Sequence, residues 1–120
     1  MPSKEIKLAI IGASGRMGKE IISAAQMNPL FEIVALFDNN STKIGDQKGE
    51  VQIEEIISDS ISKASVVIDF TTPEASIKNL ETSLKYNKPF VIGTTGLTEE
   101  FFIYARKVSQ NIPMVVSSNM

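Results

Sequence analysis

Short apolar runs alternate along the chain with stretches of helical periodicity. Ile6-Lys7-Leu8-Ala9-Ile10-Ile11 predicts a first strand. Residues 16–27 follow with apolar positions Met17, Ile21, Ala24 and Ala25 at helical spacing, and Asn28-Pro29 stops that helix. Residues 31–37 predict a second strand, closed by the polar loop Asp38-Asn39-Asn40-Ser41. Residues 42–62 carry the weakest pattern: Val51 and Ile53 suggest a short edge strand, and Ile56, Ile57 and Ile61 a short helix packed on the sheet. Val66-Val67-Ile68-Asp69-Phe70 is an almost unbroken apolar run, as expected for a parallel strand covered on both faces.

The second half repeats the alternation. Thr72 is a candidate N-cap, Pro73 fits the first helical position and Glu74 complements the helix dipole, so a helix is predicted from there to about Tyr86, with Asn87 ending it. Phe90-Val91-Ile92 is the next strand and runs into Gly93-Thr94-Thr95-Gly96. Thr98 caps a further helix with Glu99 and Glu100 in its first turn, and Leu97 and Phe102 stand where a hydrophobic staple would form. Pro113-Met114-Val115-Val116 is the last predicted strand.

Strands and helices alternating at these lengths predict an α/β fold: a doubly wound, mainly parallel sheet of the Rossmann type in a single domain. Such sheets bind ligands at the carboxyl ends of their strands, where strand order reverses. Residues 12–18, 38–41, 70–72, 93–96 and 117–119 are the polar or glycine-rich segments that this topology gathers at one edge.

Composition narrows the function. The 120 residues are one domain in size, and 42% hydrophobic content supports a core. A net charge of −2 offers no basic surface for nucleic acid. No apolar run approaches the ~18–20 residues of a membrane span, and the N-terminus lacks the apolar stretch of a secretory signal. A cytoplasmic protein is the default expectation. The absence of Cys and His removes disulfides, thiolate chemistry, a histidine acid and a serine triad; no metal site and no catalytic residue are expected.

The first turn carries the most chemistry. Gly12-Ala13-Ser14-Gly15-Arg16-Met17-Gly18 follows a predicted strand and opens a predicted helix. Glycines there let backbone approach a pyrophosphate at the helix N-terminus. The spacing Gly-x-x-Gly-x-x-Gly departs from the commoner Gly-x-Gly-x-x-Gly, and a tight turn that only packs helix on strand is the alternative. Arg16 is either a phosphate contact or an exposed helix residue. Asp38, about twenty residues on, is either a ribose acceptor or the start of a turn. Its charge opposes a 2′-phosphate, the next residues are Asn39 and Asn40, and Lys43 is the nearest cation in sequence. Gly93-Thr94-Thr95-Gly96 can bring backbone and two hydroxyls close to a ring, or be an ordinary turn. Asp69, inside a strand, is expected to satisfy local backbone N–H groups rather than catalyse.

Gly-Ala-Ser-Gly-Arg-Met-Gly at 12–18, Ile68-Asp69-Phe70-Thr71-x-Pro73-Glu74 and Val91-Ile92-Gly93-Thr94-Thr95-Gly96, in this order across nearly the whole chain, resemble dihydrodipicolinate (4-hydroxy-tetrahydrodipicolinate) reductase. The resemblance implies a bacterial or plant enzyme of lysine and diaminopimelate synthesis that passes hydride from NAD(P)H to a cyclic substrate. It implies that Gly12, Ala13, Ser14, Gly15, Arg16 and Met17 wrap the pyrophosphate and that Asp38 holds the adenosine ribose. Gly93, Thr94 and Thr95 would line the nicotinamide side, with Thr95 also anchoring substrate. Ser117, Ser118, Asn119 and Met120 match the stretch beside the nicotinamide, where relatives often read Ala-x-Asn-Phe; Met120 departs from the aromatic. Asn39 departs from the Arg or Lys that often follows the acid in relatives using NADP, so NADH is the expected cofactor and NADPH the alternative.

Length is the larger departure. The family has a second domain whose His-His-x-x-Lys motif supplies the proton donor and substrate contacts, and a C-terminal segment that returns to the first domain. The present chain is therefore expected to be the cofactor-binding half of a reductase, nearly inactive alone. Full-length members are typically homotetrameric, and this half is expected to be monomeric or weakly associating. A stand-alone nucleotide-binding or sensing module without catalysis is the competing reading.

Overall fold

The computed structural model describes residues 6–39, 45, 47–48, 51–55 and 59–117. Its strands are β1 (Ile6–Ile11), β2 (Phe31–Phe37), β3 (Gln47–Lys48), β4 (Val51–Glu54), β5 (Val66–Asp69), β6 (Phe90–Ile92) and β7 (Met114–Val116). The helices are α1 (Arg16–Gln26), α2 (Pro73–Lys85) and α3 (Glu99–Val108), with a 3-10 turn at Asp59–Lys63. The seven strands form one sheet in the order β3-β4-β2-β1-β5-β6-β7. All neighbours pair parallel except β3 with β4, a short antiparallel edge that the polar 42–50 segment does not announce. β1 is central, with β2 on one side and β5 on the other, so strand order reverses at its carboxyl end.

Two apolar clusters lie on opposite faces of the sheet. One packs Ala9, Ile11, Phe37, Val67, Phe90 and Ile92 against Leu80 of α2 and Phe101, Ala105 and Val108 of α3. The other packs Leu8, Ile10, Leu36 and Ile53 against Ile22 and Ala25 of α1. The second face carries a single helix among the described residues, and Val66 and Ile68 remain half-buried there. The β5 run is thus covered fully on the α2 side and partly on the α1 side.

The buried stripe of α1 is Gly18, Ile22 and Ala25; of the predicted positions Met17, Ile21, Ala24 and Ala25, only Ala25 is buried, Met17 and Ile21 are half-buried and Ala24 is exposed. Close approach sets this face. A Cβ on Gly18 would run into the Gly12 and Ala13 carbonyls, so the glycine, not Met17, faces the turn. β5 ends one residue before Phe70, and β7 begins at Met114 because Pro113 precedes it without a donor. Of the predicted isoleucine helix, Ile61 is buried in the 3-10 turn, while residues 56–58 lie outside the described residues.

The helix ends follow local chemistry. Thr72 Oγ1 accepts from the Ala75 N–H at 3.3 Å and Thr98 Oγ1 from the Phe101 N–H at 3.1 Å. α2 closes on Tyr86 and Asn87, whose φ of 57° is left-handed; the Lys88 N–H returns to the Ser83 carbonyl and the Asn87 N–H to that of Leu84. Leu97 and Phe102, the predicted staple positions, both pack against the core cluster.

Phe90 is fully buried where β5, β6 and β7 meet the helices. Phe90→Ala is expected to destabilise the fold by about 3–5 kcal/mol, read as a lowered urea midpoint with an unchanged slope.

Candidate functional site

The turn after β1 is held from two sides. The Gly12 and Ala13 N–H groups both donate to the Phe37 carbonyl at the end of β2, at 2.8 and 3.1 Å. The Ser14 N–H and hydroxyl both donate to Asp38 Oδ2, at 2.8 and 2.6 Å, and the Gly15 N–H donates to the Gly12 carbonyl at 3.2 Å. On the other side Gly12 lies against the end of β5. Its φ is +88°, and an added Cβ would run into the Phe70 carbonyl oxygen. Gly12 is therefore required by the turn itself.

Gly15 differs. Its φ is −74° and ψ 173°, ordinary extended backbone, it is exposed, and a Cβ there would approach nothing closer than the Gly12 oxygen at 3.5 Å. It stands at the N-cap of α1, where no side chain caps the helix and no acid occupies the first turn. α2 and α3 have both: a threonine cap, and Glu74, or Glu99 and Glu100. Arg16 is exposed at the same helix start and Met17 is half-buried.

A cavity of about 450 Å³ opens beside this turn. Ser14, Gly15 and Asp38 line one side, with Asn39 and Glu55, and Phe70, Thr71, Thr72 and Asn79 line the other. It lies at the carboxyl ends of β1, β2 and β5, the reversal point of the sheet. Asn79 was not legible in the sequence as a site residue; its signal is a polar side chain at a buried helix position, among Ser76, Leu80 and Ser83.

The remaining candidates surround this edge. Thr94 is buried, and its hydroxyl oxygen accepts from the Thr71 N–H at 3.0 Å and the Ser76 hydroxyl at 2.9 Å. Gly93 is buried with its N–H on the Asp69 carbonyl, while Thr95 is exposed. Ser117 is half-buried and donates its N–H to the Ile92 carbonyl. Ser118, Asn119 and Met120, like Lys43, lie outside the described residues.

Asp69 ends β5 with its side chain fully buried. Its Oδ1 accepts from the Thr71 hydroxyl at 2.6 Å, so the partner is chiefly a side chain rather than the expected backbone N–H groups. Burial pushes the carboxyl above the ordinary carboxylate range. The Thr71, Ser76 and Asn79 side chains and the Thr71 N–H, all facing it, oppose that shift. Among the described residues no cluster of acids suits a metal ion, and no helix is long and apolar enough to cross a membrane.

Known proteins share this arrangement. Residues 6–120 match the family described as dihydrodipicolinate reductase, N-terminus. The 4-hydroxy-tetrahydrodipicolinate reductase of Pelagibacter ubique is 37% identical over 119 residues, covering 98% of this chain and 45% of the relative. That of Syntrophotalea carbinolica is 34% identical over 124 residues, covering 96% and 46%. The chain thus spans about half the length of the curated relatives it matches. A dipicolinate-bound dihydrodipicolinate reductase from Paenisporosarcina superposes with a TM-score of 0.72 at 28% identity, over 95% of this chain and 47% of that one. The WlbA dehydrogenase of a Chromobacterium superposes at 0.77 over 98% of this chain and 36% of its own, but at 14% identity it shares the fold alone. The glycine turn, the reversal point beside it and the match along 6–120 together place this chain in the dihydrodipicolinate reductase family, as the N-terminal domain.

Proposed function

We propose that this NAD(P)-binding domain holds its pyridine nucleotide across the carboxyl ends of β1, β2 and β5. In this reading the pyrophosphate sits at the start of α1, the adenosine ribose at Asp38, and the nicotinamide toward residues 93–95 and 117–120, with Thr95 also reaching substrate. The parent protein is a reductase of 4-hydroxy-tetrahydrodipicolinate. The observation that carries the reading is the contrast among helix N-termini. α2 and α3 are capped and acidic, whereas α1 has no cap and no first-turn acid. First-turn N–H groups lack intrahelical partners, and the dipole favours an anion there.

The hydrogen bonds of the turn refine which groups bind. The N–H donors of Gly12, Ala13, Ser14 and Gly15 are engaged within the protein, so the donors offered to a phosphate begin with the backbone of Arg16 and Met17. The Arg16 guanidinium adds charge at the same point. Gly12–Gly15 shape the approach instead of donating. The cavity has the size of a small-ligand site.

A bound pyridine nucleotide supplies the hydride. The chain's residues bind and orient it. With no histidine and with Arg16 at the phosphate end, proton donation and the substrate's carboxylate contacts belong to the portion of the relatives that this chain does not span. Asp38 and Glu55 both line the cavity and Asn39 replaces a cation, so a 2′-phosphate meets two carboxylates. NADH is the favoured nucleotide.

Gly15→Val separates a ligand role from a folding role, because the backbone there accepts a side chain. Unfolding stability is expected to fall by no more than about 1 kcal/mol, the cost of a poorer N-cap residue, with the protein still folded. NADH affinity, read by nucleotide fluorescence titration, should fall about tenfold or more, since a side chain at the helix start keeps the phosphate off the N–H groups. Normal NADH binding by a folded Gly15→Val protein makes the loop a structural turn only.

Parallel titrations should show NADH binding more tightly than NADPH, and Asn39→Arg should narrow the gap by about 1 kcal/mol through one exposed charge-assisted bond. Tighter NADPH binding by the unaltered chain refutes this assignment and points to Lys43.

The 120-residue chain should bind NADH without oxidising it when fresh substrate is added, followed by NADH absorbance. General acid help is worth about 10²–10⁴-fold, and substrate positioning adds further orders. Oxidation at the rate of a full-length relative would put the substrate site inside these residues.

A further inference from the structure

Asp69 has a buried carboxylate with no place in the binding scheme above. It stands at the end of β5, beneath the loop that forms one wall of the cavity. A charged group costs free energy to bury unless it is paired, so its presence calls for a compensating task. Among the described residues its Oδ2 has no hydrogen-bond partner, while Oδ1 accepts from the Thr71 hydroxyl.

That bond is the first link of a chain. The Thr71 oxygen lies 3.3 Å from the Ser76 hydroxyl and 3.4 Å from Asn79 Nδ2, both on α2. The Ser76 hydroxyl donates to Thr94 Oγ1 at 2.9 Å, and the Thr71 N–H donates to the same oxygen at 3.0 Å. The network ties together the end of β5, the first turns of α2 and the loop after β6. Its two arms meet at Thr94 Oγ1, which takes the Thr71 N–H and the Ser76 hydroxyl; the single hydroxyl proton of Thr71 is directed to Asp69 and that of Ser76 to Thr94. Asp69 Oδ1 accepts from the Thr71 hydroxyl, so the lone pairs of that oxygen are left toward α2, where Asn79 Nδ2 donates.

We propose that Asp69 is a positioning residue: it orients Thr71, whose N–H, together with the Ser76 hydroxyl of α2, locks the Thr94 loop against the start of α2 and so sets the spacing between the two walls of the β5–β6 side of the site. It touches no ligand itself. The proposal rests on the nucleotide reading above, since the Thr71 wall and the 93–95 loop matter as a pair only if one ligand spans them.

Ser83 supplies an internal control. It lies on α2 as Ser76 does, is equally buried, and has a hydroxyl with no partner among the described residues. Ser76→Ala and Ser83→Ala remove the same atom from the same helix, but only the first cuts the network. In the 120-residue chain, Ser76→Ala is expected to weaken NADH binding about threefold or more and to speed hydrogen exchange at the Thr71 amide. Ser83→Ala should leave both unchanged. Asp69→Ala should weaken NADH binding about tenfold, and Asp69→Asn, which keeps an acceptor toward Thr71, should restore most of it. Equal effects of the two serine variants, or a folded Asp69→Ala protein with unaltered affinity and Thr71 exchange, would overturn the proposal. If Asp69→Ala does not fold, Thr71→Val, which removes the hydroxyl that Asp69 holds and keeps the N–H on Thr94, decides: unaltered exchange at the residue 71 amide overturns the proposal. The unaltered chain separates the two readings. Failure to bind NADH at all defeats the nucleotide assignment, whereas normal binding with no difference between the serine variants defeats only the role of Asp69.

Discussion

The Phe37 carbonyl is the point on which the site depends. It takes the N–H groups of both Gly12 and Ala13, so the first turn is fastened to the end of β2 before any ligand is considered. Asp38 extends the same fastening by one residue, holding Ser14 through its backbone and its hydroxyl. On the opposite side Gly12 rests on the backbone of Phe70. The position of α1 therefore follows from the register of three adjacent strands, and Gly18 lets the helix settle against the turn without a gap. A change in how β1 pairs with β2 or β5 would move the helix start and the cavity together.

The three helices divide their work by how their first turns are finished. Two are closed by threonine hydroxyls and acids, which satisfy local donors and serve the fold. The third begins with a glycine that its backbone does not require. A glycine cap forgoes roughly a few tenths of a kcal/mol that a Ser, Thr, Asp or Asn would contribute. The phosphate proposed above would take the place that such a cap leaves open.

Much of this was legible in the residues. The β1 and β5 runs, the caps at Thr72 and Thr98, and the glycine turn could be read because each depends on near neighbours. The edge strand at Val51 and Ile53 was read and is β4, but β3 could not be, since a two-residue pairing leaves almost no periodic signal. The face of α1 was read correctly at Ala25 but without Gly18 and Ile22, because its orientation is set by a carbonyl contact between Gly18 and Gly12, which no hydrophobic period records. Asp38 was read as a ribose ligand, and nothing in the sequence indicated that one of its oxygens would hold Ser14. Asn79 and the links from Asp69 to Thr94 were hidden for the same reason: they join residues distant in sequence through side-chain geometry.

The internal bonding of residues 12–15 also bears on how fast and how tightly a ligand is captured. Every N–H in that stretch has an acceptor within the protein, so the turn has its shape in the free state and need not be ordered on arrival. In the binding mode proposed above, a phosphate would meet a turn already formed. Binding would then carry little conformational entropy cost from this side of the site, with its rate set by encounter and orientation rather than by loop closure.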